Sequence, residues 1–178
     1  MKLFSSLFLL VFLFGCQQQR VQPVIGYNLQ NGKIPAQESW SSKVVFTDSG
    51  KTKAILHAGH IRVFNESTET LLDSNIKVDF YDLNQTHSST LTSKRGRVDD
   101  ATENLWAFDS VVVVSDSGVT IQTEELMWRN KDRKIVSDKF VTILSPKEKI
   151  QGYGFESDQS LRNYIIYNIT YITKRDTL

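Results

Sequence analysis

One eight-residue pattern recurs in this chain and confines it to β-structure. Residues 114–121 read V-S-D-x-x-V-T-I, and residues 136–143 repeat that pattern 22 positions later. A weaker copy at 156–161 follows after 20 more, and counting back 22 from Ser115 reaches Ser93. Valine, threonine and isoleucine suit a pleated, half-buried surface, whereas serine, aspartate and glycine suit turns. A short period with turn residues at its corners predicts one strand–turn–strand unit used repeatedly, stacked into an elongated structure with an apolar inner face. That shape suits binding or conduit work better than catalysis.

The rest of the chain obeys the same two-residue period. Val44 and Phe46 share a face; Ile76, Val78 and Phe80 alternate with Lys77, Asp79 and Tyr81; Val119, Ile121 and Thr123 alternate with Thr120, Gln122 and Glu124. Asp48-Ser49-Gly50, Asn65-Glu66-Ser67, Asp82-Leu83-Asn84, Asp116-Ser117-Gly118 and Asn130-Lys131-Asp132 mark turns between the runs. The tyrosines and isoleucines of residues 161–171 favour strand over a short amphipathic helix. The expected fold is all-β: a single antiparallel twisted β-jelly-roll or open sandwich of repeated hairpins, with about a dozen strands.

The N-terminus is expected to lie outside that fold. Lys2, the apolar run 3–14 and Leu13-Phe14-Gly15-Cys16 form a secretory signal with a lipoprotein-type cleavage site. The predicted organisation is a signal peptide at 1–15, a lipidated tether at 16–38, a β-domain at 39–168 and a C-terminal tail at 169–178. Cys16, the only cysteine, is the expected lipidation site. Cleavage would remove one cation, Lys2, and leave 20 Lys+Arg against 20 Asp+Glu. A chain without net charge or a basic stripe argues against a nucleic-acid partner. Two or more acyl chains on Cys16 would hold the protein to a membrane.

With repeat and anchor in hand, the chain resembles the LptC family of lipopolysaccharide export proteins. The resemblance runs through Ser42-Lys43-Val44-Val45-Phe46, Gly50 and Ala54-Ile55-Leu56-His57-Ala58, then Val78-Asp79-Phe80-Tyr81-Asp82 and Ser89-Thr90-Leu91-Thr92-Ser93. It continues in Asn104-Leu105-Trp106-Ala107, Val112-Val113-Val114 and Ile121-Gln122-Thr123-Glu124-Glu125-Leu126-Met127-Trp128. It ends in Ile135-Val136-Ser137-Asp138, Val141-Thr142-Ile143 and Ile150-Gln151-Gly152-Tyr153-Gly154-Phe155-Glu156-Ser157-Asp158. It implies a twisted jelly-roll with a lengthwise apolar groove for lipid A acyl chains. It also implies docking to the permease subunits of an ABC transporter and to a periplasmic bridge protein of the LptA type, with an inner-membrane location. Many family members keep an N-terminal transmembrane helix, where this chain shows a lipoprotein signal; an outer-membrane location for the anchor therefore stays open.

Phe46, Ile55, Val78, Phe80, Val113, Ile121, Leu126, Trp128, Ile135 and Val141 are the expected groove residues, each also readable as plain core. Val44, Val45, Gly50, Gly152, Gly154 and Phe155 are the expected docking residues, with one free edge at 41–46 and the other at 155–166. Gly152 and Gly154 predict a bulge or the close approach of another backbone. His57 and His60, three apart on a strand, face opposite ways and make a poor metal pair. There is no glycine-rich phosphate loop, no nucleophile elbow and no placed pair of catalytic acids. The expected role is a non-enzymatic lipid carrier without metal or cofactor. The competing reading is an anchored β-repeat lipoprotein that scaffolds other envelope proteins.

Overall fold

The structure, a computed structural model, describes residues 34–65 and 67–174. Cys16, the signal and most of the tether lie outside the described residues. Nine strands follow one another: β1 (Gln37–Asp48), β2 (Lys51–Val63), β3 (Glu69–Tyr81), β4 (His87–Asp99), β5 (Leu105–Ser115), β6 (Thr120–Arg129), β7 (Lys134–Leu144), β8 (Glu148–Asp158) and β9 (Tyr164–Lys174). They form one antiparallel sheet in chain order, with β1 and β9 as its edges. The all-β antiparallel expectation holds. The strands run 10 to 13 residues, long for strands of a globular protein, and there are nine where about a dozen were expected.

Length alone would make a flat ribbon; a crease makes a core. Every ladder from β2–β3 to β7–β8 shifts register near mid-strand, at 57/60, 73/76, 92/95, 108/111, 123/127 and 137/140. Extra residues at such bulges bend a strand sharply. Ser74, Asn75, Asp109 and Ser110 take positive φ there, a conformation that, glycine aside, asparagine and aspartate adopt most readily. A side chain on Gly59 would run into the Ser74 carbonyl, so the glycine permits β2 and β3 to approach at the bend.

The bend folds the sheet into two layers around one core. β5 illustrates it: 105–108 pair with 125–128 in one layer, and 111–114 pair with 120–123 in the other. The layers meet through side chains from distant strands. Phe46 of β1 and Phe80 of β3 both pack on Trp128 of β6, with ring centroids 5.5 and 5.4 Å apart. The Ser89 hydroxyl on β4 donates to the Gln159 carbonyl beyond β8 at 2.5 Å.

The 22-residue period is not a structural period. Its first copy spans the β5–β6 turn, but its second lies inside β7, across the crease. Ser115 Oγ accepts the Val119 amide at 3.1 Å and closes a chain reversal. Ser137 Oγ accepts the Lys139 amide at 3.1 Å and supports a bulge. The same local chemistry satisfies an unpaired backbone donor in both places. The valine run 111–114 sits centrally in the sheet but is buried on one face only: Val111 and Val113 are inside, and Val114 is exposed.

Candidate functional site

The interior is set by cross-strand rows, since directly paired residues point to one side of a sheet. One row runs Val44, Leu56, Val78, Leu91, Val113, Ile121, Ile143, Ile150, Ile172. On the other layer Leu105, Trp128 and Ile135 stand side by side. Phe46, Val78, Phe80, Val113, Ile121, Leu126, Trp128, Ile135 and Val141 are all buried in this single core. Ile55 is not among them. Ala54 and Leu56 take the inward places beside it, so Ile55 turns outward between Val45 and Asp79, half-buried.

Most of the interior is covered by the opposite layer, and Tyr164 and Ile166 at the start of the last strand pack on it, but the later part of that strand is uncovered. Ile169 and Ile172 sit in the inward rows, opposite Gly152 and Ile150, yet are 51% and 55% exposed. β9 also shows Ile165, Tyr167 and Tyr171 on its outer side. At the other edge Val44 and Val45 are both exposed on β1, and Trp40 stacks on His60 at 5.1 Å between ring centroids.

The expected second edge at 155–166 is corrected. β8 is paired on both sides, Phe155 is buried, and the free edge is β9. Gly152 and Gly154 accommodate this chain's own last strand: a side chain on Gly152 would strike the Asn168 carbonyl, and one on Gly154 would meet the Tyr167 ring at 3.0 Å. Gly50 lies in the β1–β2 turn with φ +75°. β9 also continues past residue 168, where a tail was expected, because the Ile/Tyr alternation runs on to Lys174.

Along the mouth opposite the crease, polar groups bridge the two layers. Lys53 Nζ donates to Asn130 Oδ1 at 3.2 Å and lies 3.6 Å from Asp48. Arg133 reaches the same Asp48 carboxylate at 3.8 Å. With its amide oriented to satisfy both neighbours, Gln159 accepts from Trp128 Nε1 at 2.9 Å and donates to the Tyr81 carbonyl at 3.3 Å. Sequence reasoning missed this seam because its members come from four turns distant in the chain.

The outer surface is a lattice of cross-strand ion pairs: Arg62 with Asp73, Arg95 with Asp109, Arg97 with Glu69, and Lys134 with Glu156. The hydrogen bond from Lys134 holds the Glu156 carboxyl below its usual range. Arg95 does the same for Asp109. A surface cavity of about 380 Å³, lined by Trp106, Met127, Arg129, Val136 and Tyr167 among others, lies on this outer side. His57 is exposed, and His60 faces Glu38 at 3.4 Å. No group of three potential metal ligands occurs among the described residues.

The chain matches the family described as Lipopolysaccharide-assembly, LptC-related, over residues 7–169. That match covers most of the 178 residues. The comparison with curated proteins gives no match.

Proposed function

Because the chain belongs to the LptC-related family of lipopolysaccharide-assembly proteins, its role lies in lipopolysaccharide transport, and we propose that it is a non-enzymatic carrier. It shields lipid A acyl chains between its two layers. It receives them from the inner-membrane ABC transporter and hands them to a periplasmic bridge protein. The observation that supports this reading is the interior itself: one apolar lining that continues across all nine strands and ends on uncovered isoleucines at β9.

The physical need is clear. Each methylene exposed to water costs about 0.8 kcal/mol, so an acyl chain of about a dozen carbons costs on the order of 10 kcal/mol to carry through solvent. An apolar interior removes most of that barrier with no chemistry. The layers meet in the structure, so loading requires them to part and the acyl chain to replace contacts that the layers make with each other. The exposed edges of β1 and β9 are templates for strands of neighbouring proteins. In this reading β1 faces the permease, β9 faces the bridge, and a lipidated Cys16 holds the protein at the membrane.

The full burial of Phe80, Val113, Ile121 and Trp128 favours a second reading, a scaffold whose core is simply filled. One experiment separates the two. A photo-cross-linking residue is placed in turn at Ile121, Val141 and Ile169, and at Ile55 as the outward control. The carrier gives lipopolysaccharide adducts in cells at the inward positions and none at Ile55. No adduct at any inward position of a folded protein, or equal yield at Ile55, leaves the scaffold.

A further inference from the structure

At one corner of the seam two cations share a single carboxylate that satisfies neither. Lys53 is only 9% exposed. Its Nζ lies 3.6 Å from Asp48, and Arg133 Nη2 lies 3.8 Å from the same carboxylate, both beyond hydrogen-bond length. Arg133 Nη1 is buried with no hydrogen-bond partner. A buried guanidinium nitrogen without an acceptor is costly and rare. Asp48 is the weak member of the set: its side chain is 54% exposed, and its other contact is the Ser49 hydroxyl. Lys53 also donates to Oδ1 of Asn130, whose Nδ2 donates to Glu103 and whose backbone amide donates to Asn104 Oδ1, both at 2.9 Å.

The apolar interior begins immediately behind these groups. Asp48 stands two residues from Phe46, Lys53 one from Ala54, and Arg133 two from Ile135. Phe46, Ala54 and Ile135 all belong to the core. A ligand seated here would set an anionic group against the two cations and its apolar part beside Phe46 and Trp128.

We propose that Lys53 and Arg133 form a binding site for the phosphate group of a phosphorylated amphiphile, with Asp48 as the carboxylate it displaces. The site rests on the carrier reading and gives it a place where the headgroup is held while acyl chains enter. A phosphate offers several acceptor oxygens, enough to satisfy Lys53 Nζ and both Arg133 Nη atoms, and a guanidinium fork matches phosphate geometry.

The test is equilibrium binding by the purified full-length chain of three probes: lipopolysaccharide, the same lipopolysaccharide stripped of phosphate, and inorganic phosphate. The wild type binds the phosphorylated form about tenfold more tightly than the stripped form, the scale of a lost charge-assisted hydrogen bond. Arg133→Gln and Lys53→Met erase that preference and leave the stripped form bound as before; Arg133→Lys restores part of it. Asp48→Asn, at an exposed position, widens the preference by removing the competing anion. A variant that loses both lipids has lost its fold, and Asp48→Asn then decides.

Equal binding of both lipids by the wild type, or a narrower preference in Asp48→Asn, overturns the site and leaves the carrier intact. Inorganic phosphate binding as tightly as the lipid overturns the headgroup assignment. If neither lipid binds, the carrier reading falls and the site falls with it.

Discussion

Trp128 is the side chain on which the two layers close. Phe46 and Phe80 pack against its ring, and its indole N–H is taken by Gln159. Trp128→Ala removes the ring from both contacts and strands a buried amide, so it should destabilise the fold by about 3–5 kcal/mol. Ile55→Ala, on the outer side, should cost about 1 kcal/mol or less. Urea unfolding of the two variants measures both, and a comparable loss would put Ile55 inside. Most inward residues were legible because period-two alternation needs only the right starting face. Ile55 was not, because Ala54, Ile55 and Leu56 are three apolar residues in succession. In such a run the period names two candidate faces and only the partner strand chooses between them.

At the scale of single elements, β9 is the free edge that the proposed docking would use, and its attachment to β8 is local chemistry. Asp158 shapes the turn before it, accepting from Ser160 Oγ at 2.6 Å and from Asn163 Nδ2 at 3.0 Å. Partial burial pushes the Asp158 carboxyl up, but those hydrogen bonds outweigh it and hold the group below the ordinary aspartate value. A folded-state value below the unfolded one stabilises the turn above the ordinary carboxylate range and is lost as pH falls through the folded value. Protection factors of β9 amides, corrected for intrinsic exchange, should therefore fall relative to those of β3 below about pH 4, and Asp158→Ala should remove that dependence. Gly152→Ala tests the same attachment sterically. Its Cβ would strike the Asn168 backbone, which cannot rotate away, so the variant should lose about 1–3 kcal/mol with β9 protection lost first. Uniform loss across all nine strands would mean that β9 is no separable unit. Strand identity was legible here from Ile/Tyr alternation, but edge status was not. Gly152-Tyr153-Gly154 signalled close approach correctly, yet a sequence gives no hint whether the approaching backbone is foreign or its own. The crease hid in the same way: Ser-Asp and Asp-Ser pairs inside β5 and β7 carry turn chemistry without a chain reversal, and only pairing distinguishes a bend from a hairpin.

At the scale of the whole molecule, if the protein is the proposed carrier, its filled interior must take up an acyl chain. Swapping layer-to-layer contact for layer-to-chain contact exchanges one apolar surface for another, so the hydrophobic term changes little. What resists is the polar seam, since parting the layers breaks the Ser89–Gln159 hydrogen bond and separates Lys53 from Asn130. Those groups lie at the mouth, where water replaces lost partners, and the net value of one such bond is about 0.5–1.5 kcal/mol. Opening at the seam therefore breaks few hydrogen bonds, whereas opening at the crease would break backbone ladders in every strand. Cysteines replacing Ser89 and Gln159 (Ser89→Cys, Gln159→Cys), joined by a short cleavable cross-linker, lock that mouth. The locked chain should stay folded and lose lipopolysaccharide adducts at Ile121, deep between the layers. It should keep them at Ile169, where no opposite layer stands, and cleavage of the linker should restore the first set. Undiminished labelling at Ile121 in the locked chain would mean that lipid reaches the interior from the β1 or β9 end and that the seam never opens.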